Sequence, residues 1–267
     1  MRSKWRQTHT QQLLIKGYNT MKNHSSLYSI LLLLSIPVFF SCSKDESDNF
    51  DLETGSFKGK LQKIILTNTK DSIFMEFKYD SYGRISNYFV RGTESDDFQS
   101  WGFSRNSSGQ VTMMTYNEDH YSDLTKYEIS ADGKYISATE SDGSKDIYTY
   151  TGNRITKIAH FYKNAAIYTS ILKWDSRGNL VSKEVIHPDA KYKWEGTYDN
   201  KKNPVESLEF PVFENWNTNN ILTNIDEELS ATYNYTYDKS GRPATASVMS
   251  IYSDGDSYSY YLIYVYN

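Results

Sequence analysis

Hydrophobic and polar residues alternate along several short segments of the chain. In residues 73–79, Ile-Phe-Met-Glu-Phe-Lys-Tyr, the first, third, fifth and seventh positions are all apolar or aromatic. This period of two places those side chains on one face of a β-strand. Residues 258–266 are apolar or aromatic on both faces, which predicts a strand that is buried or that closes a sheet.

A turn motif separates these segments. It reads Phe-Lys-Tyr-Asp-Ser-Tyr-Gly-Arg-Ile in residues 77–85, and further copies place Gly83, Gly109, Gly133, Gly152, Gly178, then Asn203 and Gly241, at gaps of 26, 24, 19, 26, 25 and 38 residues. Asp hydrogen-bonds its own backbone and Gly accepts a positive φ, so the motif predicts hairpins with a type I turn and a bulge. Structural turn roles are assigned to Asp80, Gly83, Gly109, Gly133, Gly152, Asp175, Gly178, Asp238 and Gly241.

The repeats predict the fold class. Each unit of about two dozen residues holds two strands and two turns, so the chain has room for about 12–16 strands. We expect an all-β, antiparallel meander that is either a curved sheet or barrel-like. The long gap contains an insert at 209–230 with Pro211 and five Asn residues, for which an ordered loop or a short helical turn is expected.

The N-terminal segment of the chain has the pattern of a signal that directs a protein for export. Residues 27–40 form an apolar run of 14 residues that contains Pro37, which is short for a membrane-spanning helix but fits a signal peptide. We divide the chain into a start-site misassignment (1–20), a signal peptide (21–42), a flexible acidic tether (43–59) and one β-repeat domain (60–267).

Cys42 is the only cysteine, and it follows the apolar run directly after Ser41. This arrangement resembles a bacterial lipoprotein signal, and residues 43–48, Ser-Lys-Asp-Glu-Ser-Asp, resemble the acidic export signal of Bacteroidetes surface lipoproteins. Phe39 and Phe40 depart from the common lipobox. The resemblance implies lipid attachment at Cys42 and a surface-exposed location on the bacterial outer membrane; the alternative is an ordinary buried thiol.

The turn motifs carry a second resemblance. Tyr79-Asp80-Ser-Tyr-Gly83-Arg84 and Tyr237-Asp238-Lys-Ser-Gly241-Arg242 resemble the Tyr-Asp (YD, RHS-like) repeats of bacterial surface proteins. Residues 60–267 also resemble an uncharacterised group of Bacteroidetes lipoproteins built from such hairpins. The resemblance implies a curved or porin-like meander and no known activity.

Charge and composition limit the classes of partner that the protein is expected to bind. The chain has a formal net charge of -4, with 29 basic and 33 acidic residues. Residues 1–42 contain five basic residues and no acidic ones, so the remainder holds 24 basic against 33 acidic residues, a net charge of -9. This balance argues against a nucleic-acid partner and disfavours anionic ligands. A single Cys excludes an internal disulfide framework.

The sequence contains no Gly-x-Ser-x-Gly elbow and no phosphate-binding loop, and a Ser-His-Asp triad assembled by the fold stays open. His120, His160 and His187 lack metal-ligand spacing, and no cofactor or metal is predicted. The carboxylate clusters at 94–97, 118–119 and 226–228 are interpreted as solvated loop charge, and the acidic residues around Gly143 and Gly255 as hairpin turns. A hydrolase would require carboxylates or His converging in a cleft.

Aromatic residues are abundant, with 24 Tyr among them. Trp101 and Trp216 are candidate ligand-contacting residues, although cross-strand packing explains most of the aromatics. The leading hypothesis is a non-enzymatic, lipid-anchored surface protein that binds extracellular glycan or an outer-membrane protein partner. The alternatives are a structural envelope-assembly scaffold and, less favoured, a hydrolase.

A transmembrane barrel is a further possibility. The distribution of charged residues on the faces of the predicted strands argues against it. Lipid-facing strands need one consistently apolar side. Phe74, Glu76, Lys78 and Asp80 are expected on one face of a strand, and a second mixed face is expected from residues 154, 156, 158, 160 and 162.

Overall fold

The computed structural model describes residues 50–51, 56–57, 59–68, 72–93, 98–118, 121–207 and 217–267. A short antiparallel pair, β1 (Phe50–Asp51) and β2 (Ser56–Phe57), precedes a closed barrel of sixteen antiparallel strands. The predicted all-β meander is confirmed, and the barrel closes. Its strands are β3 (Leu61–Thr67), β4 (Ser72–Tyr79), β5 (Ile85–Gly92), β6 (Phe98–Arg105), β7 (Val111–Glu118), β8 (Tyr121–Ile129), β9 (Tyr135–Glu140), β10 (Ser144–Thr151), β11 (Arg154–Tyr162), β12 (Ala165–Trp174), β13 (Leu180–Ile186), β14 (Lys191–Lys202), β15 (Asn219–Ile225), β16 (Leu229–Tyr237), β17 (Pro243–Tyr252) and β18 (Ser257–Tyr266).

Each barrel strand pairs with its neighbours in sequence, and the last strand pairs with the first. In this closing ladder between β18 and β3, Leu262 lies opposite Leu66 and both side chains are buried. The expectation that residues 258–266 close a sheet is therefore confirmed. Closure pairs every edge of the barrel sheet, which removes the unpaired strands that promote aggregation.

The barrel interior is the hydrophobic core. On β4 the alternate residues Ile73, Met75 and Phe77 are buried and point inward, as the sequence pattern predicts, whereas Glu76 and Lys78 lie on the outer wall. The first inward residue of a strand after a motif turn is almost completely buried, as at Ile85, which is 1% exposed. Burial of such apolar side chains supplies the main stabilisation of the fold.

Bulges recur where strands leave the motif turns. Thr149 pairs with Lys157 and Tyr150 pairs with Ile155, so Thr156 is the extra residue of β11. The bulge shifts the in-and-out phase by one residue. The expectation that residues 154, 156, 158, 160 and 162 share one face is wrong for this reason, because Ile155, Ile158 and His160 all point inward.

The turns have the conformation that their sequences predict. In the first motif turn the Asp80 carboxylate accepts hydrogen bonds from the backbone N–H groups of Tyr82 and Arg84, and Gly83 has a φ of 74°. Asp175 and Asp238 make the same turn contacts. The glycines predicted for the turns all have positive φ: Gly83, Gly109, Gly133, Gly152, Gly178 and Gly241.

Two expectations about the long gap differ from the structure. Asn219–Ile225 forms strand β15, so the expectation of a loop or helical turn throughout 209–230 is wrong for these residues. The short 3₁₀ helix Pro204–Ser207 lies before the insert. Strand β14 continues through residue 202, and Asn203 donates its backbone N–H to the Thr218 carbonyl. The segment around Asn203 therefore forms no motif turn, and a network of Asn side chains holds β15 in place.

Some sequence predictions fall outside the described residues. They include the start-site and signal segments, Cys42, the carboxylate cluster at 94–97, His120 and Trp216. Within the segment 43–59, expected as a tether, β1 pairs with β2 through Phe50 and Phe57. Among the described residues, no helix is long and apolar enough to cross a membrane.

Candidate functional site

The two ends of the barrel differ. The motif end carries the Asp-x-x-Gly turns, and bulky side chains cover the interior there. Tyr198 at this end donates its hydroxyl to the Leu180 carbonyl at 2.6 Å, and Trp174 donates its indole N–H to the Ile155 carbonyl at 2.7 Å. Each contact joins an aromatic side chain near the end of one strand to the first inward residue of the preceding strand. These contacts tie neighbouring strands together at the motif end.

The opposite end is open to solvent. Inward-facing side chains there remain exposed, although inward-facing side chains in the middle of the barrel are buried. Tyr121 is 37% exposed, Tyr192 is 49% exposed and Tyr258 is 38% exposed. We call this end the open end. Inward-facing side chains at the open end are therefore within reach of a ligand in solution.

Three carboxylates and a histidine meet on the inner wall of the open end. The strand register places Thr125 opposite Glu140, and Asp123 two residues further along β8. On the other side of Glu140, Asp146 of β10 lies opposite Ala138 and opposite His160 of β11. Diagonal neighbours on adjacent strands lie about 7–8 Å apart. We call Asp123, Glu140, Asp146 and His160 the acidic cluster.

His160 and Asp146 form the tightest contact of the acidic cluster. His160 Nδ1 lies 2.6 Å from Asp146 Oδ1. The His160 side chain is only 6% exposed, but the Asp146 side chain is 33% exposed. Solvent therefore reaches the carboxylate of this pair from the open end, and the imidazole lies behind it.

Burial and like charge shift the pKa values of groups at the acidic cluster. The pKa of Glu140 is raised to about 7, mainly by burial and then by the carboxylates of Asp146, Asp123 and Asp142, against the opposing effect of His160. Burial, followed by Asp123, also raises the pKa of Tyr121 to about 12. In both groups burial is the larger cause, and repulsion by the neighbouring carboxylates is the second.

Aromatic rings continue the inner wall beyond the acidic cluster. His160 stacks on Tyr168 with 4.6 Å between ring centroids, Tyr168 lies 5.0 Å from His187, and His187 lies 5.7 Å from Tyr192. The row of rings runs from β11 across β12 and the turn after β13 to the exposed Tyr192 on β14. Rings beside carboxylates can pack against the face of a sugar while the carboxylates accept hydrogen bonds from its hydroxyl groups.

The described turns around the open end are also acidic. Turns 141–143, 163–164, 187–190, 226–228 and 253–256 contain one basic residue, Lys163, and seven acidic residues: Asp142, Asp189, Asp226, Glu227, Glu228, Asp254 and Asp256. Charge of one sign around a concave site focuses the electric field into it. The open end therefore attracts cations and repels anions.

Trp101, a candidate from the sequence, lies on the inner wall of β6. Its ring stacks on Tyr88 at 4.1 Å and lies 4.9 Å from Tyr116, on the two neighbouring strands. The carboxylate clusters expected in solvated loops differ in their positions. Asp226–Glu228 lies in a turn, as expected. Glu118, in contrast, points inward and accepts a hydrogen bond from Gln99 at 2.7 Å. The structure thus places Trp101 in a cross-strand ring stack below the open end.

Sequence reasoning missed Asp123, Glu140 and Asp146. One signal was available, because Asp123 alternates with Thr125 and Tyr127 on the inward phase of β8. Among the described residues, no group of three or more His, Cys, Asp or Glu side chains has the arrangement to hold a metal ion. The carboxylates of the acidic cluster offer hydrogen-bond acceptors.

The architecture is that of an antiparallel meander barrel with a polar, open end. A porin-like protein from Bacteroides uniformis ATCC 8492 shares this fold, with a TM-score of 0.57 and 13% sequence identity over 79% of this chain and 98% of its own. A porin-like protein from Bacteroides vulgatus ATCC 8482 matches with a TM-score of 0.38 and 11% identity over 78% of this chain and 99% of its own. No protein-family model and no curated protein matches the chain. The porin-like shape expected from the sequence is confirmed by the first of these structures.

Proposed function

We propose that the chain is a non-enzymatic protein of the bacterial outer membrane, attached by a lipid on Cys42, whose open barrel end binds extracellular glycan. The observation that carries the binding proposal is the inner wall of the open end, where exposed rings lie beside carboxylates. The position of Cys42 after an apolar run supports the anchor, and the porin-like neighbour supports the location.

The outer wall supports attachment through a lipid instead of insertion of the barrel. Glu76 on this wall pairs with Lys63 at 3.0 Å and with Arg91 at 2.9 Å. Charged side chains that face lipid at the bilayer midplane cost about 2–4 kcal/mol each for Lys and Arg. A barrel held beside the membrane leaves these three charges in water.

Glycan binding is tested on a glycan array with the full chain and two tyrosine variants. Tyr192→Ala removes an exposed ring of the open end and is expected to weaken binding at least tenfold, since stacking and hydrogen bonds are lost together. Tyr82→Ala is the matched control, because Tyr82 is 79% exposed in a turn of the motif end. Equal loss in both variants, or binding unaffected by Tyr192→Ala, would contradict the proposed site.

The lipid anchor is tested separately by fractionation of a bacterial host that expresses the full chain. The chain is expected in the membrane pellet, and Cys42→Ala is expected to move it to the soluble fraction. Ser43→Ala, one residue beyond the attachment point, should leave it in the pellet. A soluble wild-type chain would remove the anchor from the account and leave the binding proposal in place.

Convergence of carboxylates favours hydrolysis as a second candidate function. Glu140, with its pKa raised to about 7, has the property of a general acid, and Asp123 and Asp146 lie on the neighbouring strands. Incubation of the full chain with glycans that bind it, followed by chromatography, distinguishes the two functions. Shorter products that disappear with Glu140→Gln indicate a hydrolase, and unchanged glycan indicates a binding protein.

Exposed apolar side chains favour a protein partner as the alternative to a small ligand. Met249, Ile251, Tyr261 and Ile263 lie on the outer wall of β17 and β18, and each is at least 38% exposed. A scaffold that uses this wall is expected to co-purify with an outer-membrane protein after crosslinking. Met249→Asp combined with Ile263→Asp should abolish that capture without altering glycan binding.

A further inference from the structure

We propose that the open end selects glycans that carry a free, protonated amine, with Asp123, Glu140 and Asp146 as the anionic partners of that amine. This inference rests on the proposed glycan-binding function and names the chemical class of its ligand. Four separate observations support it: the charge balance of the inner wall, two unused buried polar groups, the neighbouring rings and the acidic turns.

Negative charge exceeds positive charge around Glu140. The groups that face it are Asp123 on β8, Asp142 in the following turn, Asp146 on β10 and His160 on β11, and each of the first three opposes its ionisation. His160 already contacts Asp146 at 2.6 Å. A bound ammonium group would supply the missing positive charge and would form charge-assisted hydrogen bonds with the carboxylates.

The basic side chains on the described inner wall lie away from the three carboxylates of the acidic cluster. Lys183 points inward on β13, with β12 between it and His160. Arg105 points inward at the motif end, where its guanidinium donates to the carbonyls of Gly109 at 2.9 Å and Ile85 at 3.0 Å. Neither residue lies on β8, β9 or β10, the strands that carry the three carboxylates.

Two buried polar atoms beside the carboxylates have no hydrogen-bond partner in the described structure. They are Ser144 Oγ, in a residue that is 1% exposed, and His160 Nε2, in a residue that is 5% exposed. Ser144 begins β10 directly after the turn from Glu140, two residues before Asp146. Unpaired buried polar groups are rare in native proteins and costly, which indicates hydrogen-bonding capacity that the protein itself does not use.

Aromatic rings provide the second element of amine recognition. Tyr121 and Asp123 share the inward phase of β8, and Tyr168 stacks on His160. Cations lie favourably over the face of Tyr rings, and an amino sugar can present its ammonium and its ring face together. A neutral glycan would use the rings and leave the carboxylate charge uncompensated.

Calorimetric titration of the full chain at pH 7 tests this inference with three tetrasaccharides of the same β-1,4-linked backbone. Glucosamine tetramer carries free amines, N-acetylglucosamine tetramer carries amides, and cellotetraose carries hydroxyl groups. The glucosamine tetramer is expected to bind at least about tenfold more tightly than either neutral probe. Equal affinity for the three probes would overturn the amine inference and would leave glycan binding standing.

Charge-removing variants identify the partners. Glu140→Gln and Asp146→Asn are each expected to remove most of the preference for the amine while changing the affinity for the neutral probes less than threefold. Glu195→Gln is the control, since Glu195 is an exposed carboxylate that pairs with Lys193 on the outer wall. An amine preference that survives both cluster variants would overturn the assignment.

Spermidine, a polyamine without a sugar, distinguishes recognition of the amine from recognition of the glycan. Binding of spermidine without binding of any tetrasaccharide would contradict the glycan function and support amine recognition. Failure of all four probes to bind would contradict both.

Discussion

The environment of Glu140 changes the acid–base chemistry of its side chain. Its carboxyl group lies between Asp123 and Asp146 on the inner wall, and its pKa rises from an ordinary 4.5 to about 7. In the unfolded chain the same group would lose its proton near pH 4.5. Between these two pH values the folded protein binds more protons at this site than the unfolded chain, so stability falls as pH rises.

Glu140→Gln is therefore expected to stabilise the protein at pH 8 and to have little effect at pH 4. A difference from 4.5 to about 7 corresponds to up to about 3 kcal/mol at about 1.4 kcal/mol per pH unit. Urea unfolding of both proteins at the two pH values measures the change. Equal stabilisation at pH 4 and pH 8 would show that the carboxylate charge is not the cause.

Glycine at the motif turns is required by backbone conformation and, at some turns, by a neighbouring side chain. Gly178 has a φ of 96°, and a Cβ there would lie 2.1 Å from Arg154 Nη2. Gly241 has a φ of 77° in the same kind of turn, and its Cβ would meet nothing within 4 Å. Both positions disfavour L side chains, but only Gly178 lies against a side chain of the preceding repeat.

Gly178→Ala is expected to destabilise the protein by about 0.5–1 kcal/mol more than Gly241→Ala, which itself costs about 1–2 kcal/mol through φ. The additional loss arises because Arg154, which packs over Trp174 at 5.2 Å, must move. Thermal unfolding of the two variants measures the difference. Identical losses would show that the contact between repeats contributes nothing.

At the scale of elements, the hairpin repeat is joined by hydroxyl-to-carbonyl contacts at the motif end. Tyr198 donates to Leu180 at 2.6 Å, and Tyr266 donates to Pro243 at 3.0 Å. In each case the tyrosine lies on the second strand of a pair and the carbonyl belongs to the first inward residue of the preceding strand. The contact therefore ties one strand to its neighbour beyond the last residue pair of their ladder.

Tyr198→Phe is expected to cost about 1–2 kcal/mol, because the variant keeps the buried ring but leaves the Leu180 carbonyl without this donor. Tyr82→Phe, in an exposed turn, should be neutral within about 0.5 kcal/mol. Chemical denaturation of both variants gives the comparison. A neutral Tyr198→Phe would contradict the role of the contact.

Strands and turns were predictable because their signals are local. Alternation in residues 73–79 and the Asp-x-x-Gly spacing depend on a few neighbouring residues. The phase after a turn was not predictable, since one bulged residue such as Thr156 reverses which side chains point inward. Strand β15 was missed because its Asn residues have low strand propensity, and tertiary hydrogen bonds decide its structure: Asn219 N–H donates to Asn179 Oδ1 at 2.9 Å, and Asn220 N–H donates to Asp199 Oδ1 at 3.0 Å.

The candidate site was less predictable than the fold for a physical reason. The three carboxylates are far apart in the chain, with 17 residues from Asp123 to Glu140 and 6 from Glu140 to Asp146. Only the register of strands β8, β9 and β10 brings them onto one wall of the barrel. Spacing along the chain does not encode that register. The acidic composition did anticipate the sign of the field at the open end.

At the scale of the whole molecule, closure of the barrel leaves none of its sixteen strands with an unpaired edge. Strand β18 occupies the position between β17 and β3, and its pairs include Leu262 with both Ala246 and Leu66. Without β18, two strands of the barrel would present unpaired backbone groups to solvent.

Deletion of residues 257–267 is therefore expected to abolish cooperative thermal unfolding and to cause aggregation at micromolar concentration. Circular dichroism and light scattering, with the full chain measured in parallel, report both effects. A soluble deletion variant that still unfolds cooperatively would contradict the requirement for closure.

Hydrogen–deuterium exchange of the full chain with and without glucosamine tetramer tests most directly whether the open end is the binding site. Protection is predicted in the turns 141–143, 163–164 and 187–190 and in the adjoining ends of β8 to β14, with exchange in the Asp-x-x-Gly turns unchanged. Protection confined to the motif end or to the outer wall of β17 and β18 would contradict the account.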